Sequence, residues 1–281
     1  QEYGNINYTP KPPFYDDVLN EISDAFSKKM DPYTKQSGVN QSYKFSIGNQ
    51  VDLGNVKALG YNAAISYAND YKFYDDGEYG IYEEGDQPDP WKIFDTVKYG
   101  SQSSILSGLL NLNFKINNNH KIGGRYLRNQ SGKKLAIARS GFFYYEGQPN
   151  IDKNLAFLER KFDSYQLHGK HVFPSLNKMM ATWLVSYTDM NQNEPDLRFF
   201  EYLQPNDTTM RIKTNDAPAR FYRKMQEENI HANLDFELPV TLLGDQGKIK
   251  FGGSYIDKDR NLDETKFEIQ SNESFFTDRK S

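Results

Sequence analysis

The sequence predicts an all-β fold: a transmembrane antiparallel up-and-down β-barrel, here about eight strands with long extracellular loops. Three observations predict it. Long segments alternate between apolar and polar side chains, aromatic residues gather at segment ends, and short connections alternate with long ones.

The organising stretch is Gln41 to Phe73. Tyr43, Phe45, Ile47, Val51 and Leu53 fall on one parity, with Ser42, Lys44, Ser46 and Gln50 on the other; Leu59, Tyr61, Ala63, Ile65 and Tyr67 then alternate with small or polar residues. Successive side chains of a strand point to opposite faces, so the two halves read as one antiparallel hairpin with an apolar face. Each half reaches the length of about 9 to 11 residues that crosses a bilayer at a tilt. Tyr43, Tyr67, Tyr71 and Phe73 stand at the far ends, where a membrane barrel carries its interfacial aromatics. A long hairpin of a soluble sandwich is the alternative for this stretch alone.

Residues 1–40 read as an extracellular loop, with Pro10, Pro12, Pro13 and Pro32 around a short helical pattern of Phe14, Val18, Ile22 and Phe26. A loop is expected from Asp75 to Ser101. A second hairpin follows through Leu106, Leu110, Leu112 and Phe114, a turn at Asn117 to Asn119, and Ile122, Gly124 and Tyr126. A loop from about Asn129 to Arg160 leads to a third hairpin, pairing Tyr165, Leu167, Gly169 and Phe173 with Met179, Ala181, Trp183, Val185 and Tyr187. The longest loop is expected from about Asp189 to Glu228. In the fourth hairpin Ile230, Ala232, Leu234, Phe236 and Leu238 alternate with polar residues, Pro239 ends the strand, and Ile249, Phe251, Gly253 and Tyr255 return. Strands and loops thus occupy 41–256, and 257–281 reads as the start of a further extracellular loop.

Tight turns at one end and extended loops at the other are the habit of an outer-membrane barrel. No Lys, Arg, Asp or Glu interrupts the mid-strand apolar positions, whereas the opposite parity holds Lys44, Lys115, Arg125, Asp235 and Glu237. A solvated outer face accounts for those charges equally well.

Composition narrows the classes. A net charge of -4 offers no general basic surface to nucleic acid. Aromatics make up 15% of the chain, yet its mean hydropathy is -0.81, a pairing that suits a barrel with a thin apolar band and wet lumen, turns and loops. Cysteine is absent, which removes disulfides and thiolate chemistry. No run of about 18 apolar residues forms a transmembrane helix. No signal peptide opens the chain, which reads as an excerpt from a longer polypeptide.

The segments NQSYKFSIGNQ, LGYNAAISYANDYKFYDDG, LLNLNFKINNNHKIGGRYLRNQSG, ERKFDSYQLHGKH, NEPDLRFF and ARFYRKMQEENIHANLDFELP resemble, in this order, the mid-barrel region of TonB-dependent outer-membrane receptors of the Bacteroidetes type. The resemblance spans about Gln36 to Gly253. It implies a barrel of about 22 strands around a plug domain. It also implies active uptake of a scarce nutrient such as a siderophore, glycan, peptide or cobalamin. The partners it implies are outer-membrane lipid, the TonB, ExbB and ExbD complex acting through an N-terminal part, and a surface lipoprotein; nucleic acid is not among them. The localisation implied is the bacterial outer membrane. This chain departs from the pattern in showing no TonB box, plug or closing terminal strand.

Loop aromatics are the best candidates for ligand contact: Tyr79, Tyr82, Trp91, Phe142, Phe143, Tyr144 and Tyr145. Exposed rings hold sugars, peptides or chelates, though rings packed together also order a loop. The acidic run Asp75, Asp76, Glu78, Glu83, Glu84, Asp86 and Asp89 could collect calcium, but it lacks the spacing of a calcium loop. His168 and His171 lie three apart on a strand and point to opposite faces, so they share no metal; His120 and His231 read as isolated. Glu194, Pro195, Asp196 and Arg198 suggest a structural ion pair at a rim. No catalytic triad, phosphate loop or catalytic carboxylate pair stands out, so neither an enzyme nor a cofactor is expected. The competing readings are a secreted soluble all-β binding or adhesion protein, whose apolar faces meet another sheet, and a self-contained small outer-membrane barrel.

Overall fold

The computed structural model describes Ser27 and residues 31–84, 89–206, 209–213, 218–242 and 245–268. The chain divides into two units, Gln1–Asp31 and Pro32–Ser281, and every described strand belongs to the second. The strands are β1 (Gln41–Asp52), β2 (Ala58–Tyr82), β3 (Pro90–Lys115), β4 (His120–Phe143), β5 (Gln148–Phe173), β6 (Met179–Asn206), β7 (Thr209–Ile212), β8 (Ala219–Leu242) and β9 (Asp245–Glu268). They form one antiparallel up-and-down sheet in the order β1-β2-β3-β4-β5-β6-β8-β9, with the short β7 beside β6. Among the described residues β1 and β9 are free edges and the sheet is not closed into a barrel.

The expected hairpins form, and their apolar residues stand opposite one another. Phe45 faces Ile65, Leu110 faces Tyr126, Leu167 faces Val185 and Phe236 faces Phe251. Alternation therefore builds a continuous apolar face, because opposed residues share a face and i, i+2 positions repeat it. Among the described residues each strand makes extensive contact only with its sheet neighbours, so this face has no second sheet against it. Phe45 is 65% exposed and Leu167 59%.

The apolar face is a band with definite limits. On β5 it runs from Tyr165 to Phe173, about 27 Å at the usual rise per residue. Its upper limit is Tyr43 on β1 and Tyr67 on β2, which face each other, but on β4 it is Tyr126, level with Leu110 on β3. The rings of Tyr126 and Tyr165 stack 4.9 Å apart, with Tyr165 and Tyr187 at 6.4 Å, giving the limit an aromatic row. Directly beyond it on the same face come Arg128, Asp163, Asp189 and Glu228. Both limits step down the sheet from β1 towards β9, the upper by about six residues and the lower by about four. Against seven strand spacings this is a slant of about 20–30°. Strands tilted in a closed barrel require such a slant.

Four expectations are corrected. The three segments read as long loops are mostly strand. β2 and β3 extend to Tyr82 and from Pro90, β4 and β5 meet at the four-residue turn Tyr144 to Gly147, and β6 runs to Asn206 with β7 inside the expected longest loop. Alternation fails to announce these extensions because bulges shift the parity, between Tyr74 and Gly77, Phe94 and Thr96, Leu155 and Glu159, and Glu194 and Leu197. β8 continues through Pro239 to Leu242, as Pro239 faces Lys248 at the end of the ladder. Residues 257–268 continue β9 and are not a loop. Among the described residues the strand count is nine. The helical pattern at Phe14 to Phe26 lies outside the described residues.

The short-turn ends are fixed locally. Leu53 N–H donates to Lys57 O at 2.9 Å across Gly54, Asn55 and Val56, all with positive φ. Asn117 Oδ1 accepts from the backbone N–H of Asn119 and His120 at 2.8 and 2.9 Å. His120 is not isolated: its Nδ1 lies 3.1 Å from His171 Nδ1, and Trp183 Nε1–H donates to His171 Nε2 at 3.0 Å. Local strand parity cannot show this, since the partners come from β4, β5 and β6.

Candidate functional site

The strand extensions beyond the band carry the largest buried polar group of the sheet, on the face opposite the apolar one. Arg139 and Phe143 on β4 share a face with Asn150 and Asp152 on β5, because β4 and β5 pair without a bulge; Asp152 faces Glu201 on β6. Lys92 faces Phe143 from β3. Its ammonium donates to Glu201 Oε1 at 2.5 Å, and Asn150 Nδ2 donates to the same oxygen at 2.6 Å. Lys213 Nζ stands 3.6 Å from it.

Lys92 and Glu201 sit three strand spacings apart, about 14 Å across a flat sheet, and Glu201 is level with Val97 instead of Lys92, which adds to the separation. Their contact requires the sheet to curl towards this polar face. The apolar band is consequently on the convex side, the polar face on the concave side.

Aromatic rings enclose the ions. Lys92 Nζ is 4.5 Å from the Phe143 ring centre and Lys213 Nζ 4.7 Å, so Phe143, only 2% exposed, contacts two ammonium groups. Arg139 lies 5.2 Å from the Tyr79 ring and 5.8 Å from Phe94, and donates to Asp152 Oδ2 at 2.8 Å. Trp91 meets Phe143 edge to face at 5.6 Å.

Three cations thus meet two carboxylates. Burial pushes the Asp152 carboxyl above the usual carboxylate range; the Arg139 guanidinium opposes this and the neighbouring Glu201 adds to it. Asn150 Oδ1 and Asp152 Oδ1 are buried acceptors without a hydrogen-bond partner.

The seven aromatic candidates divide. Tyr79, Trp91 and Phe143 join the ion cluster, and Phe143 is buried rather than free to touch a ligand. Tyr82, Phe142, Tyr144 and Tyr145 are exposed at the rim, Tyr145 at 78%. Phe142 and Tyr144 meet edge to face at 5.1 Å. Sequence reasoning missed Lys92, Arg139, Asn150, Asp152, Glu201 and Lys213. Lys92 directly follows Trp91 in the sequence, but its pairing with a residue 109 positions away was not visible there.

Of the acidic run, Asp86 lies outside the described residues, while Asp75, Asp76 and Glu78 fall within β2. Among the described residues no three such side chains converge as metal ligands. At the rim the expected ion pair forms: Arg198 donates to Asp196 Oδ2 at 2.6 Å, Arg220 approaches Asp196 Oδ1 at 3.4 Å, and Arg223 approaches Glu194 at 3.5 Å. Asp196 holds φ 64, at the bulge that brings the guanidinium groups to it.

Comparison with known proteins finds no matching family model, no matching curated protein and no matching solved structure.

Proposed function

We propose that this chain is barrel wall and outer rim of a bacterial outer-membrane transporter of the TonB-dependent kind, taking up a scarce nutrient such as a siderophore, glycan, peptide or cobalamin. The carrying observation is the exposed apolar band. It is continuous across eight strands, bordered by stacked tyrosines and then by ionic side chains, slanted against the strands, and set on the convex side of the curl. Its rise of about 27 Å along a strand, reduced by tilt, fits the apolar height of about 25 Å of such barrels. A soluble sheet has no use for an uncovered apolar face of this extent.

In this reading the exposed Tyr82, Phe142, Tyr144 and Tyr145 are ligand contacts at the outer rim. The cluster around Lys92 and Glu201 holds the strand extensions that carry them. Uptake draws its energy from the TonB, ExbB and ExbD complex, and a surface lipoprotein is a further partner of the rim. No chemistry is assigned to the chain.

The test is fractionation of the whole protein expressed in a Gram-negative host. Recovery in the outer-membrane fraction, resistant to salt and alkali extraction, is expected. Recovery as a soluble protein overturns the reading.

A further inference from the structure

The concave face is unevenly charged. Near the short turns Lys115, Lys121 and Lys170 stand directly opposite one another on β3, β4 and β5. Two residues further along the same face come Asn113, Gly123 and His168, and two beyond those Asn111, Arg125 and Gln166. Like charges directly opposed across strands destabilise a sheet, so folding gains nothing from the lysine row.

Neither do carboxylates neutralise it. Among the described residues Lys115, Lys121, Arg125 and Lys170 make no ion pair, whereas the basic residues of β9 do. Lys248 and Lys250 reach Glu237 at 2.6 and 3.4 Å, and Lys258 and Arg260 reach Glu227 at 2.8 and 2.5 Å. The same face of one sheet thus pairs its cations on one side and leaves them free on the other.

The floor of the patch is kept open. His168 Nε2 and Asn113 Oδ1 meet at 3.1 Å across β4, directly above Gly123. A Cβ at Gly123 would come within 2.5 Å of both atoms. Glycine lets that bridge lie flat between the lysine row and Arg125.

We propose that this patch binds a ligand carrying two or more oxyanion groups, phosphates or carboxylates, spaced to engage ammonium groups on three adjacent strands, a span of about 10 Å. Its place in a lumen rests on the barrel-wall reading; its affinity for oxyanions does not. Within a lumen walled by low-dielectric material, unpaired positive charge concentrates anions and makes them the preferred cargo.

The test is calorimetric titration of the whole detergent-solubilised protein with inorganic tripolyphosphate at low salt. Saturable binding is expected, falling steeply towards 0.5 M salt. The double variant Lys121→Gln with Lys170→Gln should weaken it by about tenfold or more. The double variant Lys248→Gln with Lys250→Gln removes equal charge from paired positions and should change it less than about twofold. Absence of saturable binding, or equal loss in both variants, overturns the proposal. Circular dichroism of both variants verifies the fold, and relief of the lysine row predicts that the first melts no lower than the parent. Tripolyphosphate binding by a protein recovered in soluble form would sink the barrel wall and leave the patch standing.

Discussion

Lys92 on β3 and Glu201 on β6 meet at 2.5 Å across two intervening strands, with their side chains 10% and 5% exposed. No other single contact says as much about the sheet, since only a curl towards the polar face allows it. Without Lys92, Glu201 keeps Asn150 at 2.6 Å and Lys213 at 3.6 Å, so the cost falls below the about 3–5 kcal/mol of a buried charge left wholly unpaired. Lys92→Met should therefore loosen the strand extensions while leaving the banded half intact. Hydrogen exchange checks this: faster exchange confined to 90–100, 139–155 and 198–206 is expected, and uniform exchange across the sheet would contradict it.

Gly141 sits where β3 bulges. A Cβ there would lie 2.0 Å from Ile93 O and 2.5 Å from Phe94 Cα. Backbone cannot give way as a flexible side chain does, so Gly141→Ala should displace the bulge and cost about 1–3 kcal/mol. Accelerated proteolysis between Trp91 and Tyr145 is the expected readout. Gly108→Ala is the control, because a Cβ there meets nothing within 4 Å.

Asp152 gives the extensions a pH dependence. Its carboxyl is raised above the unfolded value, so the folded state holds the proton more tightly. The contribution of this group is then most favourable below the unfolded value of about 4, and it declines as pH rises through the folded one. Asp152→Asn should flatten that slope in Trp91 fluorescence measured against pH, in a Trp183→Phe background that leaves one tryptophan. A slope unchanged by the substitution would assign the titration elsewhere.

The band supplies a paired comparison. Leu110 belongs to it and Ser107, on the same strand, to the opposite face. An arginine facing lipid at mid-band costs about 2–4 kcal/mol, and one facing a wet lumen costs little. Leu110→Arg should lower yield in the membrane fraction and the midpoint of unfolding from lipid vesicles, while Ser107→Arg should change neither. Equal effects would mean that both faces see the same solvent.

Much of the banded half was legible because the pleat ties side-chain direction to parity. Tyr165, Leu167, Val185 and Tyr187 could be assigned to one face before any pairing was known, and the turn at Asn117 to Asn119 set the register of its hairpin. The far half was not legible. Bulges at Phe94, Leu155 and Glu194 shift parity without any marker in local composition, so strands there looked like loops. His120 and His171 looked unrelated for a similar reason, being 51 residues apart and joined only through strand pairing.

By itself, then, the sequence determined an all-β antiparallel hairpin array with one apolar and one polar face, since alternation acts within each strand and needs no distant partner. Only the tertiary structure decided which way the sheet curls, which aromatics are buried, and where charges meet or stay unpaired. Those outcomes depend on side chains from three or four strands converging on one face, and no local pattern of residues encodes that convergence.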